Sequence, residues 1–350
     1  MSTDRHPAGP TVRGLRPTAP SAPPGSLAGL RVAVTGASGF CGGRVARAAA
    51  GAGAEVFCLS RRPGPVGRHV FWDASRDRPE LTGADLVVHC AAEVGDPVPG
   101  SPAEARMAEV NVTGTERLLE AVHAGSWTPP ALVWVSSASV YDPRPDRSRV
   151  TEDHPVVSGH LNAYGRTKAA GERIALAAGA VALRPRAVYG EGDPHLWPRL
   201  RDRVRAGRLL LPGPDVSLSL TSVDNLADAC LAARGWPAGA YNVADAEPYR
   251  RDAAIRRVLA AHGARARIHR LPLPVADAVA RMAEAAGRRR PGRDPALSRY
   301  AVDQLARPVV LDIGRALATG WRPRWSLADE TFGRTTAPPC APGSGRGREG

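Results

Sequence analysis

The sequence predicts an α/β protein: a Rossmann-type, doubly wound parallel sheet followed by a smaller C-terminal substrate lobe. Three observations carry this. Short apolar runs alternate with segments of helical composition, the first run ends in a glycine-rich turn, and the alternation loosens after about Arg186, where Gly and Pro become frequent. Strands alternating with helices build βαβ units, and these require a parallel sheet covered by helices on both faces.

Leu30–Thr35 predicts the first strand and Phe40–Ala50 the helix behind it. Glu55–Leu59, His69–Trp72, Asp85–Cys90 and Leu132–Val135 predict four further strands, and Val181–Leu183 begins a sixth. Ala103–Ala124 predicts one long helix and Asn162–Ala178 another, with Asp252–His262 and Leu273–Ala286 helical in the second half. Residues 1–27 and 336–350 are rich in Pro, Gly, Ala and Arg without periodicity and are expected to be disordered tails. Residues 28–185 are expected to form the Rossmann domain, with 222–245 returning to it. Residues 186–221 and 246–335 are expected to form the lobe.

A chain of 350 residues can bury a substantial core. Its formal net charge is +13, carried almost wholly by arginine, because Lys168 is the only lysine. Aromatic residues do not interleave with the basic ones, so nucleic acid is not the expected partner; an arginine-rich solvated surface is. The five cysteines are widely spaced and form no CxxC pair, which argues against zinc and fits a reducing cytoplasm. No apolar run is long enough to span a membrane, and the N-terminus lacks the apolar core of a secretory signal. His69, His89 and His123 have no metal-ligand spacing.

The first strand runs into Thr35-Gly36-Ala37-Ser38-Gly39-Phe40-Cys41-Gly42. Glycines at this spacing, between a strand and a helix, let backbone N–H groups approach a pyrophosphate at a helix N-terminus. Gly36, Ser38, Gly39, Phe40 and Gly42 are therefore candidate cofactor contacts. The second strand ends Leu59-Ser60-Arg61-Arg62, with no carboxylate for a ribose 2′-hydroxyl and two guanidiniums for a 2′-phosphate. This reads as NADP(H), with NAD(H) the alternative. Asp73 closes the third strand, where a carboxylate can accept from an adenine amino group. Ala91 and Ala92 follow the fourth strand, where small residues admit the adenine-side ribose.

Tyr164 and Lys168 stand at i and i+4, on one face of a helix. A phenol is a weak base at neutral pH, and a neighbouring ammonium favours its phenolate. The tyrosine can then exchange a proton with an alcohol or alkoxide while hydride moves. Ser137 ends the fifth strand and is placed to hydrogen-bond the reacting oxygen; Ser136 and Ser139 compete for that role if the register differs.

Together these residues resemble the extended short-chain dehydrogenase/reductase family, also called the NAD-dependent epimerase/dehydratase family, over about residues 29–335. The family's TGxxGFxG pattern appears as Thr35–Gly42, and its catalytic Ser, Tyr and Lys fall on Ser137, Tyr164 and Lys168. The resemblance also assigns Asn111 to the family's helix asparagine. Leu183–Gly190, Ser222–Ala229, Ser298-Arg299-Tyr300, Asp312–Ala316 and Gly320–Pro323 look like the 3β-hydroxysteroid dehydrogenase-like branch. By that analogy Pro185 and Val188 meet the nicotinamide end.

The expected activity is an NADP(H)-dependent oxidoreductase interconverting a secondary alcohol and a ketone on a hydrophobic small molecule. The alternatives are an NAD-dependent nucleotide-sugar epimerase and a non-catalytic dinucleotide sensor. Ser137-Ala138-Ser139 lacks the Thr-Asp-Glu triplet of sugar 4,6-dehydratases. A homodimer is the assembly such folds commonly adopt.

Overall fold

The computed structural model describes residues 26–81, 83–124, 129–156, 162–289 and 297–329. Nearly all of both expected tails lies outside these residues, as do positions 290–293 of the basic run beginning at Arg288. Leu27 is described, and it is buried against the first core.

The first half runs β1 (Arg31–Thr35), α1 (Phe40–Gly51), β2 (Glu55–Ser60), β3 (Arg68–Phe71), β4 (Leu86–His89), α2 (Pro102–Ala108), α3 (Gly114–His123), β5 (Ala131–Val135) and α4 (Ala163–Ala177). Then come β6 (Val181–Pro185), β7 (Val188–Tyr189), α5 (Leu196–Arg203), β8 (Arg208–Pro212), β9 (Ser217–Leu218), β10 (Thr221–Ser222) and α6 (Val223–Ala232). The chain continues through β11 (Gly239–Val243), β12 (Tyr249–Arg250), α7 (Arg251–Ala261), β13 (Arg267–Leu271), α8 (Leu273–Arg289), α9 (Arg299–Ala306) and α10 (Gly314–Ala318).

Seven strands form one sheet in the order β11-β6-β5-β4-β1-β2-β3, and every adjacent pair is parallel. The order reverses between β1 and β4. In open parallel sheets a crevice opens at such a point, beyond the carboxyl ends of the strands. The central strands are apolar on both faces because both faces are covered. Val32, Val34 and Val88 pack against Val45, Ala46 and Ala49 of α1 and Leu226 and Cys230 of α6. Ala33, Leu59 and Val87 pack on the other face with Leu118, Val122, Trp134 and Ala175. A third core, around Leu209, Leu211, Ile255, Val258 and Leu259, belongs to the second half. Later in the chain, β11 pairs with β6, and Arg44 of α1 holds Asp224 of α6 at 2.5 and 2.6 Å.

The single helix expected over Ala103–Ala124 is broken. A π-helical turn at Glu109–Thr113 separates α2 from α3. The wider turn seats Asn111 in the interior, where its amide bridges the backbone of Glu93 (2.8 and 3.0 Å) and the Thr167 hydroxyl (3.0 Å). Helical composition alone carries no signal for one extra residue per turn.

Helix α4 is held at both ends. Asn162 caps its start by accepting from Gly165 N at 2.9 Å. Toward its other end Glu172 is buried and paired with Arg184 of β6 at 2.6 Å, and it accepts from Ser136 Oγ at 2.5 Å. Arg184 reaches on to Tyr141 Oη at 3.0 Å and Glu152 O at 3.1 Å. Removing one partner of a buried pair strands the other charge. Arg184→Met should therefore cost about 3–5 kcal/mol in denaturant unfolding; a loss near zero would mean that this pair does not hold α4 to β6.

Candidate active site

The glycine turn is shaped by close approach. Gly36 has φ +66° and its N–H bonds Leu59 O at 2.8 Å; a Cβ there would sit 2.8 Å from Ala91 backbone atoms. A Cβ on Gly42 would lie 2.4 Å from Gly36 O, so α1 starts directly beneath the loop. Gly39, the residue before α1, offers no side-chain cap, and the first turn carries no acidic residue. The first N–H groups of a helix without a cap, together with the helix dipole, favour an anion. This cradle fits a dinucleotide pyrophosphate. Ser38 and Phe40 lie half-buried along the same turn.

Across the crevice, β1 and β4 are stitched by side chains. Thr35 Oγ1 accepts from Cys90 N and Ala91 N, each at 3.2 Å, and lies 2.8 Å from His89 Nδ1. With two donors already on it, the threonine hydroxyl is best satisfied by donating to Nδ1, which assigns the proton of His89 to Nε2. Burial, then the Lys168 charge, push this imidazole down to about 3, so it stays neutral. Ala92 follows Ala91 at the strand end, half-buried.

At the far end of β2 the hydroxyl of Ser60 turns into its own loop and donates to Arg62 O at 2.6 Å. Arg61 and Arg62 are exposed. Asp73 Oδ1 accepts from Ser75 N at 3.0 Å and Ser75 Oγ at 2.7 Å. Burial raises its pKa, but the Ser75 bonds and the Arg61 charge outweigh this and hold the carboxyl below its usual value.

Ser137, Tyr164 and Lys168 are brought together at the ends of β5 and α4. Burial drives the Tyr164 phenol pKa up, against the lowering effect of Ser137 beside it. Lys168 is 2% exposed and donates to Val135 O at 2.7 Å. Its ammonium lies 3.7 Å from the centre of the Trp134 ring, a distance at which a cation is drawn to the ring face. Burial pushes it down from 10.5 to about 7, against the opposing pull of Glu172. Pro185 is buried at the end of β6, and Val188 is half-buried just beyond.

Of the two competing serines, Ser136 is turned away to Glu172, whereas Ser139 lies in the site. Ser139 Oγ is 3.1 Å from Ser137 Oγ and 2.8 Å from Tyr300 Oη of α9. Trp134, Glu172 and the Ser139–Tyr300 contact were not read from the sequence as parts of this site. Trp134 looks like any core residue of LVWV, and Tyr300 is brought in from far along the chain. Cys41, just after Phe40, is likewise near Lys168 and Tyr164, and burial raises its thiol pKa. Among the described residues no group of His, Cys, Asp or Glu is arranged to hold a metal ion, and no helix is long and apolar enough to cross a membrane.

A seven-stranded parallel Rossmann-type sheet with this glycine cradle defines an NAD(P)-dependent oxidoreductase of the extended short-chain dehydrogenase/reductase type. The chain belongs to the NAD dependent epimerase/dehydratase family, whose sequence profile matches residues 32–244. It is 30% identical over 310 residues to the 4-hydroxy-2-methyl-3-oxo-4-farnesyl-3,4-dihydroquinoline-1-oxide ketoreductase of Stigmatella aurantiaca, covering 82% of this chain and 90% of the relative. It is 29% identical over 318 residues to the 2-alkyl-3-oxoalkanoate reductase of Shewanella oneidensis, covering 81% and 79%. In fold it is similar to MoeE5 in complex with UDP-glucuronic acid and NAD, with a TM-score of 0.66 and 23% identity over 87% of this chain and 96% of that one.

The expectation of NADP(H) is corrected by these structures: MoeE5 and other solved proteins of the same fold hold NAD. The local reason is that the Ser60 hydroxyl commits its proton to its own loop, donating to Arg62 O, rather than to a 2′-phosphate. The expectation of a hydrophobic substrate is corrected with it. MoeE5 was solved with a polar nucleotide sugar, and beside Ser137 this chain gathers Ser139 and Tyr300, with the Arg186 charge acting on that tyrosine.

Two outcomes follow from this geometry. Gly42→Ala should lower NAD affinity at least tenfold in a fluorescence titration, because the new methyl group displaces Gly36 from the cradle. The second concerns pH. The unfolded chain keeps the Lys168 proton up to the ordinary lysine value of 10.5, and the folded chain releases it near 7. The unfolded state therefore binds more protons across that window, and the contribution of this group to stability rises with pH. Lys168→Met should flatten that rise in cofactor-free unfolding curves; an unchanged slope would show that Lys168 keeps its ordinary affinity for the proton.

Proposed function

We propose that this chain is an NAD(H)-dependent oxidoreductase acting at one secondary carbinol carbon of a polar small molecule, a nucleotide sugar or a small oxo compound. The observation that carries the reading is the convergence of Ser137, just beyond β5, with Tyr164 and Lys168 in the first turns of α4, on the side of the sheet that holds the glycine cradle. When bound, the cofactor supplies or accepts the hydride at its nicotinamide. The protein manages the proton. Tyr164 gives its phenolic proton to the developing alkoxide, or takes it back from the alcohol. Ser137 bonds the same substrate oxygen. Lys168, held by Val135 O and Trp134, places positive charge next to Tyr164 and favours phenolate. Asn111 is a positioning residue that ties the loop after β4 to Thr167, one residue before Lys168. Gly36, Ser38, Gly39, Phe40, Gly42, Ala91 and Ala92 hold the pyrophosphate and adenine ribose, with Ser60, Arg61, Arg62 and Asp73 at the adenine end. Pro185 and Val188 border the nicotinamide. In this reading residues 28–185 and 222–245 form the cofactor domain and the remaining described segments form the substrate lobe.

One half-reaction serves two net outcomes. If the ketone leaves, the enzyme is a dehydrogenase or reductase, as the names of the ketoreductase relatives describe those proteins. If the ketone stays and is reduced from its other face, the enzyme is an epimerase. The fold likeness to MoeE5, solved with NAD and UDP-glucuronic acid, favours this second outcome.

The test offers purified protein two sets of compounds. UDP-hexoses and UDP-hexuronic acids are followed by product analysis with no added cofactor, and 3-oxo acids and their esters are followed by NADH absorbance. Epimer formation without net nicotinamide change assigns the epimerase, and NADH oxidation assigns the reductase. Tyr164→Phe should lower either turnover at least a hundredfold, the typical share of general acid–base catalysis. Full activity in that variant, or failure to bind NAD, removes the reading.

A further inference from the structure

Lys168 is a buried cation with little around it to hold its charge. It is 2% exposed, and its one hydrogen-bond acceptor among the described residues is Val135 O at 2.7 Å. Glu172 stands one turn further along α4, but its carboxylate is already engaged. Arg184 donates to Oε1 at 2.6 Å and to Oε2 at 3.0 Å, and Ser136 donates to Oε2 at 2.5 Å. The paired guanidinium offsets part of the pull of that carboxylate on Lys168. An ammonium taken out of water without an anion of its own tends to lose its proton.

Trp134 supplies a second contact. Its side chain is wholly buried, and the ammonium sits over the ring, 3.7 Å from its centre. The face of an aromatic ring is its negative side. It attracts a cation, most strongly for indole and most where water is excluded. The ring is also fixed in place. Its Nε1 donates to Thr115 Oγ1 at 3.3 Å, and that hydroxyl donates to Asn111 O at 2.9 Å, across the π-helical turn. Gly171, three residues after Lys168 on α4, lies against the same ring: a Cβ there would come within 3.0 Å of Trp134 Cζ2. The ammonium is thereby held between two anchored groups, a backbone carbonyl and an indole face.

Resting on the proposed role of Lys168 beside Tyr164, we propose that Trp134 is a positioning residue whose indole face keeps the Lys168 ammonium protonated and in place at the catalytic centre. The titratable groups around Lys168 are Tyr164 and Glu172 of its own helix, Cys41 of α1, and His89 and Cys90 at the end of β4. His89 is neutral, so it adds no charge of its own.

The test needs neither substrate nor cofactor, so its failure is separate from failure of the turnover assays. Because Lys168 is the only lysine, full-length protein labelled with 13C at lysine Cε gives one signal that needs no assignment. In wild type the protons on that carbon should lie well upfield of those of free lysine, shifted by the current of the adjacent ring. The Cε shift is then followed against pH in wild type, Trp134→Phe and Trp134→Leu. Phe keeps a ring face, though a weaker one, and Leu removes it. The titration midpoint should fall in Trp134→Phe and fall further in Trp134→Leu, by about one pH unit in all, the size of one desolvated cation–ring contact. A merely structural role gives the opposite sign: a loosened core admits water, and the midpoint climbs toward the ordinary lysine value of 10.5. A midpoint that rises or stays unmoved in the variants overturns the proposal. So does the absence of an upfield ring shift in wild type, a result that depends on no variant folding.

Discussion

The geometry of the site hangs on the buried pair Glu172–Arg184. It joins the end of α4 to β6, and through Ser136 it also grips the end of β5. These three elements carry Lys168 and Tyr164, Pro185, and Ser137 respectively. A buried ion pair adds little net stability, since desolvation offsets the attraction, but it tolerates few geometries. Here its directionality is what matters. Arg184 uses its remaining donor capacity on Tyr141 and Glu152 O, so the loop after Ser137 is fixed by the same guanidinium.

The charge of Lys168 is set by the same neighbourhood. Burial works against its proton, and Glu172 one turn away works for it. Trp134 presents its ring face to the ammonium, and the neutral His89 stacks on that ring at 6.1 Å between centroids. A guanidinium keeps its charge throughout the physiological range and is broad and planar. An ammonium is compact and can be tuned. In a chain with 47 basic residues, this is a physical reason for one of them to remain lysine.

The cofactor specificity shows where local pattern misleads. Ser60-Arg61-Arg62 has the composition of a 2′-phosphate site, but composition does not say where a side chain points. In the folded chain the Ser60 hydroxyl turns back and donates to Arg62 O.

The sequence by itself determined the parallel sheet, the glycine cradle and the pairing of Tyr164 with Lys168. Each is a short-range pattern: strand and helix periods, a turn that excludes Cβ atoms, and a four-residue spacing on one helix. Ser137 was legible for the same reason, as the polar end of an apolar strand. Tertiary structure decided the rest. The π-helical turn that buries Asn111 depends on one extra residue accommodated against neighbouring elements. The choice among Ser136, Ser137 and Ser139 depends on which partner each hydroxyl meets: Glu172, Tyr164 or Tyr300. Trp134 under Lys168, and Tyr300 beside Ser139, are meetings of residues far apart in the chain. Hydrogen bonds and cation–ring contacts act over a few ångströms of space, so only the folded chain establishes which of these residues stand close enough to interact.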